Sequence, residues 1–158
     1  MKKSILPLAM TALVMAGTAT AGTSTATITA ESSIVPGCEV SVNNLNFGDV
    51  DLLGAAKTAQ ATATVVCTPG VEYTAHIVDV ENPTNDQFKL KSAAGDEISF
   101  DIFSDSTRTT LWNSTSGVSA VAGDSSSGFT HTMYGRLPQQ AAVPAGLYEA
   151  QFRFQVTY

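Results

Sequence analysis

Charge is scarce in this chain. Only 14% of its 158 residues are Asp, Glu, Lys or Arg, against 44% hydrophobic. So apolar a composition can fill a core and is not that of a disordered segment. The length suits one domain. Basic clusters are also missing: Arg108, Arg136 and Arg153 are scattered, and the formal charge is −6. Nucleic acid and anionic membrane surfaces are therefore not expected partners, because both reward clustered Lys and Arg. There are two histidines, His76 and His131, and two cysteines, with no CxxC. Metal sites usually need more ligands than that. GxSxG, HExxH and a phosphate-binding glycine loop are all absent from the sequence. Asp49 and Asp51 are close in sequence, as are Asp101 and Asp105. No other ligands converge on them, and they read as surface charge. Both histidines read as ordinary strand residues, and Asp124-Ser125-Ser126-Ser127 as a solvated loop. No enzyme, cofactor or metal site is expected. The sequon at Asn113-Ser114-Thr115 carries little weight.

What is present begins with an address. Met1-Lys2-Lys3 is a positive start, residues 5–16 are apolar, and Ala19-Thr20-Ala21 offers small residues to signal peptidase. Residues 1–21 read as a secretory signal peptide cut before Gly22. The apolar run falls short of the ~20 residues a membrane span needs, and no later segment looks transmembrane. Cutting removes Lys2 and Lys3 and takes the formal charge from −6 to −8. In an oxidising compartment, Cys38 and Cys67 as an isolated pair read as one disulfide. It would close 29 positions, worth roughly 3 kcal/mol by loop entropy.

The exported part reads as strand after strand. Period-two patterns or strand-forming residues cover 59–67, 72–80, 97–103, 129–137 and 147–158. Thr68-Pro69-Gly70, Asn82-Pro83-Thr84-Asn85 and Pro138 break them. Residues 117–128, rich in Ser and Gly, read as a loop. In the last segment Tyr148, Ala150, Phe152, Phe154, Val156 and Tyr158 share one face. There is no 3.6-residue period, no internal repeat and no second domain. Short strands between turn signals predict a sandwich or barrel.

The two ends of this pattern are complementary. The strongest strand stands last, with no later strand to pair with it. Residues 22–33 alternate weakly, with Ala26, Ile28 and Ala30 between threonines. That stripe is too thin to hold an independent strand. It could be a disordered leader, a first strand of its own domain, or a strand added to another sheet.

Met133-Tyr134-Gly135-Arg136-Leu137-Pro138-Gln139-Gln140, then Val143-Pro144-Ala145-Gly146 and Leu147-Tyr148-Glu149, resembles the spore coat protein U domain, the subunit fold of archaic chaperone–usher pili. Leu45-Asn46-Phe47-Gly48, Cys67-Thr68-Pro69-Gly70 with Tyr73, and Trp112 extend the likeness over residues 38–158. Asn113 stands where the family often has Gly, Glu149 where it often has Asp, and residues 82–94 lack an expected Gly- and Arg-containing segment.

The resemblance implies an all-β, incomplete immunoglobulin-like sandwich of about six strands that lacks its last strand. Residues 34–158 would form this domain, and residues 22–33 the donor-strand arm. Ala26, Ile28 and Ala30 would be the donor plugs. Tyr148, Phe152, Phe154 and Val156 would line the acceptor groove, and Cys38–Cys67 would pin the first strand to the second. The implied partners are a periplasmic pilus chaperone, an outer-membrane usher, and neighbouring copies or related pilins. The implied destination is the cell surface, by way of the periplasm, as a fimbrium supporting adhesion or biofilm formation. The alternatives are a spore- or coat-associated matrix protein of the same fold and a small surface-binding adhesin.

Overall fold

The computed structural model describes residues 23–51, 54–81, 86–123 and 128–158. The signal peptide read over residues 1–21, Gly22 and the Ser-rich stretch 124–127 lie outside the described residues. The chain divides into two units, Met1–Ser33 and Ile34–Tyr158. In the first, residues 23–33 form no regular element and are exposed along their length.

The second unit holds nine strands among its described residues: β1 (Cys38–Val42), β2 (Lys57–Cys67), β3 (Glu72–Asp79), β4 (Phe88–Ser92), β5 (Glu97–Phe103), β6 (Val118–Val121), β7 (Phe129–Leu137), β8 (Tyr148–Glu149) and β9 (Phe152–Thr157). Six form a sheet in the order β1-β2-β7-β5-β4-β8, and three form a smaller sheet in the order β6-β3-β9. Every pairing is antiparallel.

Alternation decides the faces. On β2, Ala59, Ala61, Ala63 and Val65 turn inward, while Gln60, Thr62 and Thr64 turn outward. Small residues here sit beside large ones on β7: Ala61 opposes Met133, and Ala63 opposes His131. Facing them from the smaller sheet are Tyr73, Ala75 and Ile77 of β3, while Phe100 and Ile102 of β5 join the core from the same sheet as β2 and β7. Trp112 closes the core at 1% exposure. Its Nε1 donates to the Ala75 carbonyl at 2.8 Å, so the indole is buried with its polar atom satisfied.

Three readings needed correction. Residues 147–158 are not one strand. Tyr148–Glu149 pairs with β4 in the larger sheet, and Phe152–Thr157 pairs with β3 in the smaller one. In- and outward alternation continues across the switch at Ala150 and Gln151, so a period-two pattern cannot reveal it. Tyr158 is 60% exposed rather than inward. The stretch 117–128 is not all loop, because Val118 opposes Ala75 and Ala120 opposes Tyr73 in β6. Its Ser and Gly content hid that short alternation.

The segments that carried the family likeness have structural work to do. Gly135 faces the core on β7. A Cβ there would lie 2.9 Å from both Leu45 Cδ2 and Phe47 Cζ, so the bare backbone makes room for the two apolar residues of Leu45-Asn46-Phe47-Gly48. That tetrapeptide turns on itself, with Gly48 at φ 67° and its amide donating to Asn46 Oδ1 at 2.8 Å. The β5–β7 ladder ends at Asp101 and Arg136, and continued by two residues it would set Ser99 against Pro138, which has no N–H to give. The side-chain amide of Gln140 takes over, accepting from Ser99 N at 2.9 Å and donating to Ser99 O at 3.0 Å.

Candidate functional site

The open place in this fold is a pair of unpaired edges. Among the described residues β1 pairs only with β2, and β9 only with β3. The two strands approach one another without a shared ladder. Val40 and Val42 stand opposite Val65 and Ala63, and directly opposed residues share a face. Val65 and Ala63 are 2% and 0% exposed, yet Val40 and Val42 are 40% and 45% exposed. On β9, Phe154 opposes Ile77 and Val156 opposes Ala75. Ile77 and Ala75 are fully buried, while Phe152, Phe154 and Val156 are only half-buried. Phe129, across β2 from Val40 in the same row, is 51% exposed. The core is therefore uncovered between two edges that carry free backbone donors and acceptors. An extended chain could satisfy both, with its backbone on an edge and alternate side chains against the core.

The structure brings together part of the expected groove. Phe152, Phe154 and Val156 line β9 side by side. Tyr148 stands apart, in the six-stranded sheet, where its hydroxyl donates to the Pro144 carbonyl at 2.8 Å. That bond ties the Val143-Pro144-Ala145-Gly146 turn to the strand that follows it. Cys38 and Cys67 oppose each other in the β1–β2 register and are disulfide-bonded. Ala26, Ile28 and Ala30 are exposed, Ile28 to 91%.

Four residues at the opening were not foreseen in this role: Val40, Val42, Phe129 and His131. The alternation in Cys38-Glu39-Val40-Ser41-Val42 was the available signal for the first two. His131 is 5% exposed. Its Nε2 lies 2.9 Å from the Tyr73 hydroxyl, and its ring packs against Phe129, Trp112 and Phe154 at 4.7, 5.7 and 5.9 Å between centroids. Burial holds its pKa below the ordinary 6.5, and burial raises that of Tyr73 above 10.0.

The remaining polar candidates serve turns and strand faces. Asp101 pairs with Arg136 at 3.2 Å. Asp105 accepts from the Thr107 hydroxyl, from the Thr110 amide at 2.6 Å and from the Thr109 amide at 3.1 Å, which holds its carboxyl well below the usual range. Asn113 is 5% exposed, and its Oδ1 accepts from the Thr115 and Ser116 amides, so the side chain serves the turn. Among the described residues no three His, Cys, Asp or Glu side chains converge as a metal site would require.

Two antiparallel sheets, one disulfide and an apolar core left open between two strand edges define a pilin-like β-sandwich. The chain belongs to the Spore Coat Protein U domain family, whose model matches residues 24–153. The fold is similar to a chain in the crystal structure of the CsuC–CsuE chaperone–tip adhesion subunit pre-assembly complex from archaic chaperone–usher Csu pili of Acinetobacter baumannii. The TM-score is 0.59 at 18% identity, over 79% of this chain and 40% of that one. A second likeness is to a chaperone–tip adhesin complex of CFA/I fimbriae biogenesis, with a TM-score of 0.47 at 11% identity, over 75% of this chain and 41% of that one. The chain thus spans about two-fifths of the solved chains it matches. A search among curated protein sequences finds no match.

Proposed function

We infer that this protein is a structural subunit of an archaic chaperone–usher surface pilus, polymerising by donor-strand exchange and supporting adhesion or biofilm formation. The observation that carries this reading is the partial exposure of the core-facing residues Val40, Val42, Phe152, Phe154 and Val156 at two unpaired strand edges. Such a surface is an aggregation hazard unless a strand covers it. In the periplasm a pilus chaperone supplies that strand. At an outer-membrane usher the arm of the next subunit replaces it. Residues 22–33 are the arm, with Ala26, Ile28 and Ala30 as its inward plugs. Exposed alternation around an Ile28 that buries nothing within its own unit supports the assignment.

Deleting residues 22–33 tests the scheme. The truncated protein should still co-purify with its chaperone from periplasm and should form no polymers. If heat-sensitive ladders persist on gels without the arm, donor-strand exchange through this segment is wrong.

A further inference from the structure

A titratable side chain lies directly beneath the open core. His131 is covered from the solvent side by the Phe129 ring at 4.7 Å and the Phe154 ring at 5.9 Å. Both covers are incomplete, since Phe129 is 51% exposed and Phe154 half-buried. A strand laid into the opening would complete them and deepen the burial of the imidazole. Among the described residues the ring's polar partner is the Tyr73 hydroxyl at 2.9 Å, and no acidic side chain pairs with it.

The surrounding elements offer little else to a positive charge. On the inward face of β3 the titratable groups are Tyr73 and, six residues along, Asp79, whose Oδ1 accepts the Glu81 amide. The inward residues of β2 and β9 near the ring are uncharged, as are Trp112 and Asn113 on the connection before β6. Glu39, Glu72, His76, Arg136 and Arg153 alternate onto the opposite faces of their strands. An imidazolium here would be a buried, uncompensated cation.

We propose that His131 makes the opening a proton-sensitive acceptor, which takes its strand with a neutral imidazole and gives it up as acid charges the ring. The inference rests on the acceptor reading above and adds its regulation. Linkage fixes the sign. Filling the opening deepens the burial of His131, so the filled state binds the proton more weakly than the empty one. Strand affinity is then level above the empty-state pKa of His131, which burial already holds below the ordinary 6.5. Below that value it falls by at most tenfold per pH unit.

The test uses the full mature chain and, as probe, a fluorescein-labelled synthetic peptide with the sequence of residues 23–33. Anisotropy titrations at pH 7.5 and 5.0 should show a loss of capture at pH 5.0. In His131→Gln, whose amide can still bond Tyr73, capture should be equal at both. Equal losses in both proteins, or no loss in wild type, overturn the proposal and leave the acceptor reading standing. Absence of capture at every pH overturns the acceptor reading and this proposal together. Should His131→Gln fail to fold, imidazole NMR of the wild type decides. The His131 ring must titrate at lower pH when the peptide is present than when it is absent. An unmoved His131 titration contradicts the proposal.

Discussion

Gly135 and Gln140 show how single residues of a recognisable segment act physically. A side chain at position 135 would drive into Leu45 and Phe47, each 2.9 Å from where its Cβ would stand. Gly135→Val should therefore cost about 1–3 kcal/mol by overpacking, measured as a lowered urea midpoint at unchanged slope. Gln140→Leu removes both side-chain bonds to Ser99 and leaves that amide and carbonyl unpaired. A loss of about 1–3 kcal/mol is expected, read in the same unfolding experiment. Asp105 organises its exposed turn by accepting from several neighbours, while Arg108 takes a left-handed φ of 57°. In Asp105→Ala the Thr109 and Thr110 amides should exchange with deuterium markedly faster, with little change elsewhere. The carboxyl is held below its usual range, so its contribution is present at neutral pH. It is lost only as strong acid titrates it.

At the scale of elements, the disulfide joins the first residue of β1 to the last of β2. β1 has five residues and one paired edge, and its valines are half open to water. Ladder bonds and the crosslink must hold it. Reduction should lower stability by roughly 3 kcal/mol on loop-entropy grounds. Deuterium exchange in the reduced protein should speed up in β1 before β5 or β7. A uniform acceleration across all strands would argue that β1 has no separate dependence on the crosslink.

The same contrast explains what could be read in advance. β5 and β7 fall where their alternation places them, because each has seven or more residues with one inward face. β6 and β4 were hidden by brevity and by Ser, Gly and Lys content. The switch between β8 and β9 was hidden because the chain changes sheets without breaking alternation. Phe152, Phe154 and Val156 were legible as a shared face. Their open state was legible only through the family resemblance, not from the alternation, since exposure depends on which strand is missing beside them. Val40, Val42, Phe129 and His131 belong to the opening only through cross-strand register, which no single segment encodes.

At the scale of the molecule, the sandwich has a core that its own described strands do not finish covering. The proposed polymer finishes it from outside, so folding and assembly become one process. Hydrogen–deuterium exchange on the full mature chain, compared before and after assembly, tests this most directly. The donor-strand scheme predicts that amides of residues 25–30, of β1 and of β9 become protected together in the polymer, while those in β5 and β7 stay as they were. Polymers that form while residues 25–30 and the β9 amides keep exchanging at their monomer rates would contradict it.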